Sequence, residues 1–513
     1  MKRIALLLTI SVSIFSFGQS IRLVKEFNPS GNSNPTNYLV NGNKMYFIAN
    51  NGSESRLYVT DGTTAGTRSV LDETTSLQAT YEPMAVLNGM VAFVGVSTNG
   101  RELCFTDGTD AGTVYFDLLP GAASSEPRQL YVFNNKLYFS ADDGTHGREL
   151  WVSDGTVGGT HMLKDINATG SSEPQEFCAY NGKLYFQAWG SNAIGRELYR
   201  TDGTAAGTEL FDDLDNGAGS TGPQYLHVFQ NKLFFFSAFG VWVSDGTVAN
   251  TINLKSAMMM NNYAYGDDYL YFVCTDPLYD EEIFRTDGTV AGTKLVADIN
   301  SGSTSKYPKE LTLFNHKIFF KVGTPAYGQE LWSTNGTSAG TQIFKDIITG
   351  ATGAVGGNLE ACGSRLYFYA NDGVNNTQLW FTDGSLASTQ ALMASFATTS
   401  NPTFDQFGAT CFNNEYYFGA SYDDKGVELY KVGFPDGINE EAQPNWICFP
   451  NPMADRLFFK NVKYGETIAI TDVSGNAVWR GALDADASAD IHALASGLYF
   501  VQIGNRTAKL IKE

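Results

Sequence analysis

Eight short triplets carry the most chemically suggestive residues of the chain. They begin at Asp61, Asp107, Asp154, Asp202, Asp245, Asp287, Asn335 and Asp383, each followed by glycine and then threonine or serine. An acidic residue in that setting fits a metal loop, a catalytic carboxylate or a hydrogen-bonded turn. The copies can be compared with one another. The first glycine, as in Gly155, recurs in every copy, and so does a closing threonine such as Thr160. A second glycine, as in Gly159, stands four residues after the first except where Asn250 and Ser388 replace it. Glycine and asparagine at that point suggest a positive-φ position, which Ser388 fits less well. Asn335 keeps a side-chain acceptor but lacks the charge that a hard cation or a proton transfer needs. The triplet therefore reads as a structural Asx turn at all eight positions, with calcium at some turns as the alternative.

Other candidates are weaker. Glu102, Glu149, Glu197, Glu282, Glu330 and Glu428 recur before the third apolar run in six of the repeats, with Arg101, Arg148 and Arg196 beside three of them. They either line a channel or bond neighbouring repeats together. Asp212-Asp-Leu-Asp-Asn-Gly217 superficially resembles a calcium loop but lacks the distal glutamate. The histidines, His146, His161, His227, His316 and His492, show neither H-E-x-x-H nor a repeated ligand spacing. There is no G-x-S-x-G elbow, P-loop or dinucleotide fingerprint. The reading assigns no catalytic residue, no metal ligand and no cofactor. Carboxylate-only hydrolysis stays open, because 54 acidic residues offer many pairs.

The elements that carry these residues follow from the repeat. Successive triplets begin 42 to 48 residues apart, a period that marks a repeat architecture. Residues 130–166 show the unit: apolar runs at Leu130–Phe133, Leu137–Phe139, Glu149–Val152 and His161–Ile166, with turn signals between them. Four short strands per period describe a propeller blade. A motif like Lys136-Leu-Tyr-Phe139 occurs about nine times, which predicts nine blades, with eight as the alternative. The last repeat ends near Tyr430 without a fourth strand. Ile21–Phe27 resembles an orphan fourth strand, so the two ends are expected to join and close the ring.

Bulk properties limit the function classes. The formal net charge is −20, which disfavours nucleic acid and anionic membranes as partners. Aromatics make up 13% of the chain, and 53 glycines outnumber 15 prolines, which suits short strands and tight turns. Residues 1–18 have a basic start, an apolar run too short to span a bilayer and small residues before Gln19, as a secretory signal does. The mature chain shows no transmembrane segment. Cys104, Cys178, Cys274, Cys362, Cys411 and Cys448 lack paired spacing and read mainly as buried thiols, with a disulfide left open.

Two resemblances add to this. The unit Glu149-Leu-Trp-Val-Ser-Asp-Gly-Thr156 resembles the ELWxxDGT repeat of exported proteins from Bacteroidetes-type bacteria. After a polar linker at 434–446, residues 447–513 resemble the type A C-terminal sorting domain of the type IX secretion system. The matching parts are Pro450-Asn451-Pro452, Gly475, Gly497, Tyr499 and the terminal Lys509 and Lys512. The resemblance implies a small β-sandwich, passage through the periplasm and release or attachment at the outer cell surface. It implies the type IX machinery as a partner. The expected protein is an all-β propeller over 19–433 that binds extracellular glycans or surface proteins without catalysis. A polysaccharide hydrolase or lyase, and a purely structural surface protein, are the alternatives.

Overall fold

The computed structural model describes residues 20–512, apart from 72–76, 216, 300–306, 393–402, 423–424, 434–446, 450–455, 461–466, 473–476, 483–487 and 504–505. The described chain is all-β except for one turn of 3-10 helix at Val248–Asn250. Two compact units emerge, a large one at Ile21–Val432 and a smaller one containing Gly433–Glu513. The expected signal at 1–18 and linker at 434–446 lie outside the described residues.

Among the described residues, the large unit holds nine antiparallel sheets, eight of four strands and one of five. They are numbered here as sheets one to nine, from Thr36 onward. The third sheet is typical: Arg128–Phe133, Lys136–Asp142, Arg148–Ser153 and His161–Lys164, paired in chain order. Its first hairpin turns on Asn134 and Asn135 at φ 47° and 59°, the left-handed pair that matches strand twist. The second strand is buried along Leu137–Ala141. Its sequence is a continuous apolar run because neighbouring sheets cover both faces. Tyr138 and Leu150 of sheet three pack with Phe177 and Leu184 of sheet four in one core cluster. Full burial of one such side chain contributes about 1.5–3 kcal/mol. First strands of neighbouring sheets lie against each other, so the sheets radiate outward in a propeller-like array.

The first and last strands of the large unit share the ninth sheet. Thr403–Phe412, Glu415–Ser421 and Glu428–Gly433 are completed by Ser20–Lys25 at the outer edge. Val24 and Tyr417 of this sheet join Met45 and Phe47 of sheet one in a single cluster. The Phe27 and Asn28 N–H groups donate to the Glu428 carboxylate at 2.9 and 3.2 Å. Cys362 and Cys411 form a disulfide between the first strands of sheets eight and nine. The expectation of mainly buried thiols is thus corrected for this pair. Cys104, Cys178 and Cys274 are buried free thiols. Burial raises Cys178 to about 11 and Cys274 to about 12.

The meander gives the array two distinct ends. First hairpins and D-G-T turns share one end, where the Asn315 amide donates to the Asp383 carbonyl at 2.7 Å. Second hairpins and the crossovers to the next sheet share the other. There the Arg148 N–H donates to Ser171 Oγ at 3.0 Å. Gly147, at φ 76°, meets the same crossover, and a Cβ would stand 2.7 Å from that oxygen.

The smaller unit has a three-stranded sheet built on Arg456–Lys460 and a four-stranded sheet built on Thr467–Asp472 and Gly497–Ile503. Leu457 and Phe459 of one pack with Ile468, Ile470 and Val501 of the other. This is a small β-sandwich. Tyr499 is buried and its hydroxyl donates to the Ala495 carbonyl at 2.8 Å. Lys512 is also buried, with Nζ donating to the Ile491 carbonyl at 2.8 Å. Pro450, Asn451, Pro452 and Gly475 lie outside the described residues.

Candidate functional site

The D-G-T turn is a closed hydrogen-bond circuit. Asp154 Oδ1 accepts from the Thr156 N–H at 2.9 Å and its hydroxyl at 2.7 Å. Thr156 Oγ1 in turn accepts from the Gly159 N–H at 3.0 Å. Thr160 donates its hydroxyl to the Thr156 carbonyl at 2.6 Å. Asn335 makes the same pair of bonds to Thr337 at 3.1 and 2.7 Å. The threonine hydroxyl and N–H hold the exposed Asp154 carboxyl below its ordinary value. Asp61, Asp107, Asp202, Asp245, Asp287 and Asp383 shift in the same direction.

The two glycines serve different ends. Gly155 has φ 92°, the left-handed region expected of a tight turn. Gly159 does not. A Cβ there would stand 2.1 Å from Asp154 Oδ1, and Gly66, Gly112, Gly207, Gly292 and Gly340 repeat that approach to their own Asp or Asn. The positive-φ expectation for this position is therefore corrected: glycine clears space for the side chain. Where it is replaced, the new side chain bonds to the carboxylate instead. Asn250 Nδ2 donates to Asp245 at 2.7 Å, and Ser388 Oγ donates to Asp383 at 2.5 Å.

The turn also docks on its neighbour. A Cβ on Gly108 would stand 2.6 Å from the Tyr46 hydroxyl of the preceding sheet. Gly203 meets Tyr138 and Gly336 meets Tyr271 in the same way. Arg68 and Lys232 donate to the carbonyls of Gly108 and Asp287 at 2.7 and 3.2 Å. Sequence comparison missed this packing, although a tyrosine recurs in the second strand.

The recurrent glutamates lie buried under the crossovers, not along a channel. Glu149 accepts from the Ile166 N–H at 2.7 Å, the Ser172 N–H at 2.9 Å and the Ser172 hydroxyl at 2.5 Å. Glu102 holds Leu118 and Ser125, Glu197 holds Leu214 and Thr221, and Glu282 holds Ile299. Glu330 holds Ile347 and Ile348 at 3.1 and 3.3 Å. Burial raises the carboxyls of Glu102, Glu149, Glu197 and Glu428, and that of Glu330 to about 7. Arg101 and Arg196 pair with Glu126 and Glu173 at 3.2 and 3.0 Å, rather than with the adjacent glutamates.

One crossover gathers three carboxylates. Glu197, Asp213 and Asp215 each bring an oxygen within 4.8 Å of the others. Such an all-oxygen set suits hard cations. All three of its members also serve the loop itself. Glu197 anchors Thr221, and the Gly217 N–H donates to Asp213 and Asp215 at 3.3 and 3.1 Å. The histidines are dispersed. His227 stacks on Tyr265 with ring centroids 3.8 Å apart, while His146 and His316 bond to Asp143 and Asp267.

No curated protein sequence matches the chain. Among solved structures, a puromycin hydrolase aligns at TM-score 0.38 and 12% identity, over 78% of this chain and 60% of that one. A puromycin-hydrolyzing peptidase of Mycobacterium tuberculosis aligns at TM-score 0.37 and 10% identity, over 68% and 59%. A prolyl endopeptidase aligns at TM-score 0.38 and 12% identity, over 80% and 55%. The chain thus spans less than two thirds of each of these structures. No helix among the described residues is long and apolar enough to cross a membrane. Residues 448–513 match the secretion system C-terminal sorting domain, and Tyr499 and Lys512 fix its core and its last strand. The match identifies this end of the chain as a type IX secretion sorting domain, which implies interaction with the secretion machinery and a cell-surface or extracellular destination.

Proposed function

We propose that the large unit is a closed nine-bladed propeller of ELWxxDGT repeats that binds glycans or other surface polymers outside the cell, without catalysing their turnover. Closure is supported by the shared ninth sheet and by the Glu428 bonds to Phe27 and Asn28. The eight D-G-T turns act as structural knobs between blades. The observation that carries the non-enzymatic reading is the use made of the repeated carboxylates. Those of the turns and of the crossovers accept local N–H and O–H donors, which is architecture, not proton transfer to a substrate.

The test uses the exported protein on an array of cell-surface and matrix polysaccharides, with and without calcium. Retention of a polymer without release of reducing ends or unsaturated sugars supports the reading. Cleavage of any retained polymer overturns it in favour of a hydrolase or lyase.

A further inference from the structure

We propose that the crossover end of sheets five to eight is the ligand surface, and that it takes a neutral polysaccharide chain. This rests on the binding reading above and names its site. The second hairpins of sheets one to three have polar tips. Asn51 and Asp143 fold them through bonds to the N–H groups of Ser53 and Thr145. Along sheets five to eight the same hairpins carry Phe239, Leu278, Tyr279, Tyr327 and Val374. Tyr307, in the crossover into sheet seven, joins them at the same end. Leu278 and Val374 are each 82% exposed, and Phe239 is 51% exposed. Neither the repeat nor the blade core requires apolar residues at these hairpin tips, because those of sheets one to three do without them.

The chemistry of the occupant follows from how these groups are arranged. The rings of Phe239, Tyr279 and Tyr327 come one to a hairpin on sheets five, six and seven, so an aromatic face recurs from sheet to sheet. A sugar chain presents apolar C–H faces at regular intervals, each rimmed by hydroxyls. Tyrosine offers a flat apolar face and a polar tip together. The exposed Asp280 beside Tyr279 supplies an acceptor for hydroxyls. A net charge of −20 repels sulfated or uronate polymers, which leaves a neutral one.

The test measures the full exported chain against cello-, chito-, manno- and laminari-oligosaccharides by array and calorimetry. The double variant Tyr279→Ala/Tyr327→Ala should bind at least tenfold more weakly, with an unchanged melting temperature. Phe239→Ser alone should weaken binding in the same direction, which guards against a fold defect in the double variant. Tyr81→Ala is the control at the same end of the array, since the Tyr81 hydroxyl is already bonded to Ser55 at 2.9 Å. It should retain parental affinity. Parental affinity in the double variant and in Phe239→Ser would overturn the assignment of this surface and leave the binding reading standing. No oligosaccharide bound by the parent would remove both. Capture of acidic glycans alone would overturn the neutral-ligand assignment. So would a double variant whose only change is loss of self-association by light scattering, because the surface would then join copies of this chain.

Discussion

Gly62 in the first sheet lies against the Tyr417 hydroxyl of the ninth, where a Cβ would stand 2.8 Å from the phenol oxygen. Two residues more than three hundred positions apart therefore form the same contact as Gly108 and Tyr46 in adjacent sheets. Gly62→Ala faces two penalties, the clash and a φ of 97°. It should lower unfolding free energy by about 2–4 kcal/mol. Adding Tyr417→Phe removes the oxygen and should restore part of that loss. A double-mutant cycle by urea denaturation measures the coupling.

The turn circuit predicts an ordered series at two positions. Asp154→Asn keeps the acceptor, as Asn335 does, and should leave the denaturation midpoint nearly unchanged. Asp154→Ala loses both bonds to Thr156 and should lower the midpoint more than Asp154→Asn does. At Gly159, asparagine or serine should be tolerated better than valine, because only the polar side chains can bond to the carboxylate they displace. Chemical denaturation of the five single variants checks the order.

Glu330 gives a pH dependence of definite sign. Its carboxyl is raised from 4.5 to about 7, chiefly by burial. A folded-state value above the unfolded one means that the native protein holds the proton more tightly. The resulting stability is full below pH 4.5 and lost as pH rises towards 7. Melting temperature should therefore fall across that window. Glu330→Gln keeps an acceptor for Ile347 and Ile348 and should flatten the fall. Equal slopes in the two proteins would contradict the assignment.

The Cys362–Cys411 bond spans 49 residues and ties two first strands. Cys362→Ser should cost about 2–4 kcal/mol on the chain-entropy account. Reduction of the parent should reproduce the loss, while the buried Cys104, Cys178 and Cys274 should resist alkylation until unfolding. Mass spectrometry of alkylated peptides, with and without reductant, reads both outcomes.

Much of the architecture was legible because a repeat is its own comparison. The spare strand at Ile21 and the missing strand after Tyr430 pointed to each other, and the ninth sheet uses both. The all-β character and the C-terminal sandwich followed from strand-length runs between turn signals. The role of Gly159 was not legible, because steric clearance and positive φ select the same residue. Asn250 and Ser388 held the clue: both are donors that can reach a carboxylate. The disulfide was obscured by wide spacing, yet its separation is close to one period, which brings equivalent positions on adjacent first strands together. The apolar tips of sheets five to eight stood in the sequence as departures from the repeat. Only the meander showed that they share one end.

The pairing of Ser20–Lys25 with Glu428–Gly433 also sets a clock. The strand made first must wait for one made some 400 residues later. Until then Ser20–Lys25 has no sheet to join, and the Phe27 N–H has no Glu428 carboxylate to donate to. Closing so long a loop carries an entropic cost that grows only slowly with length, but it cannot begin before Glu428–Gly433 has been made. The ninth sheet is thus the last of the nine that can be completed, whatever the order in which the others form.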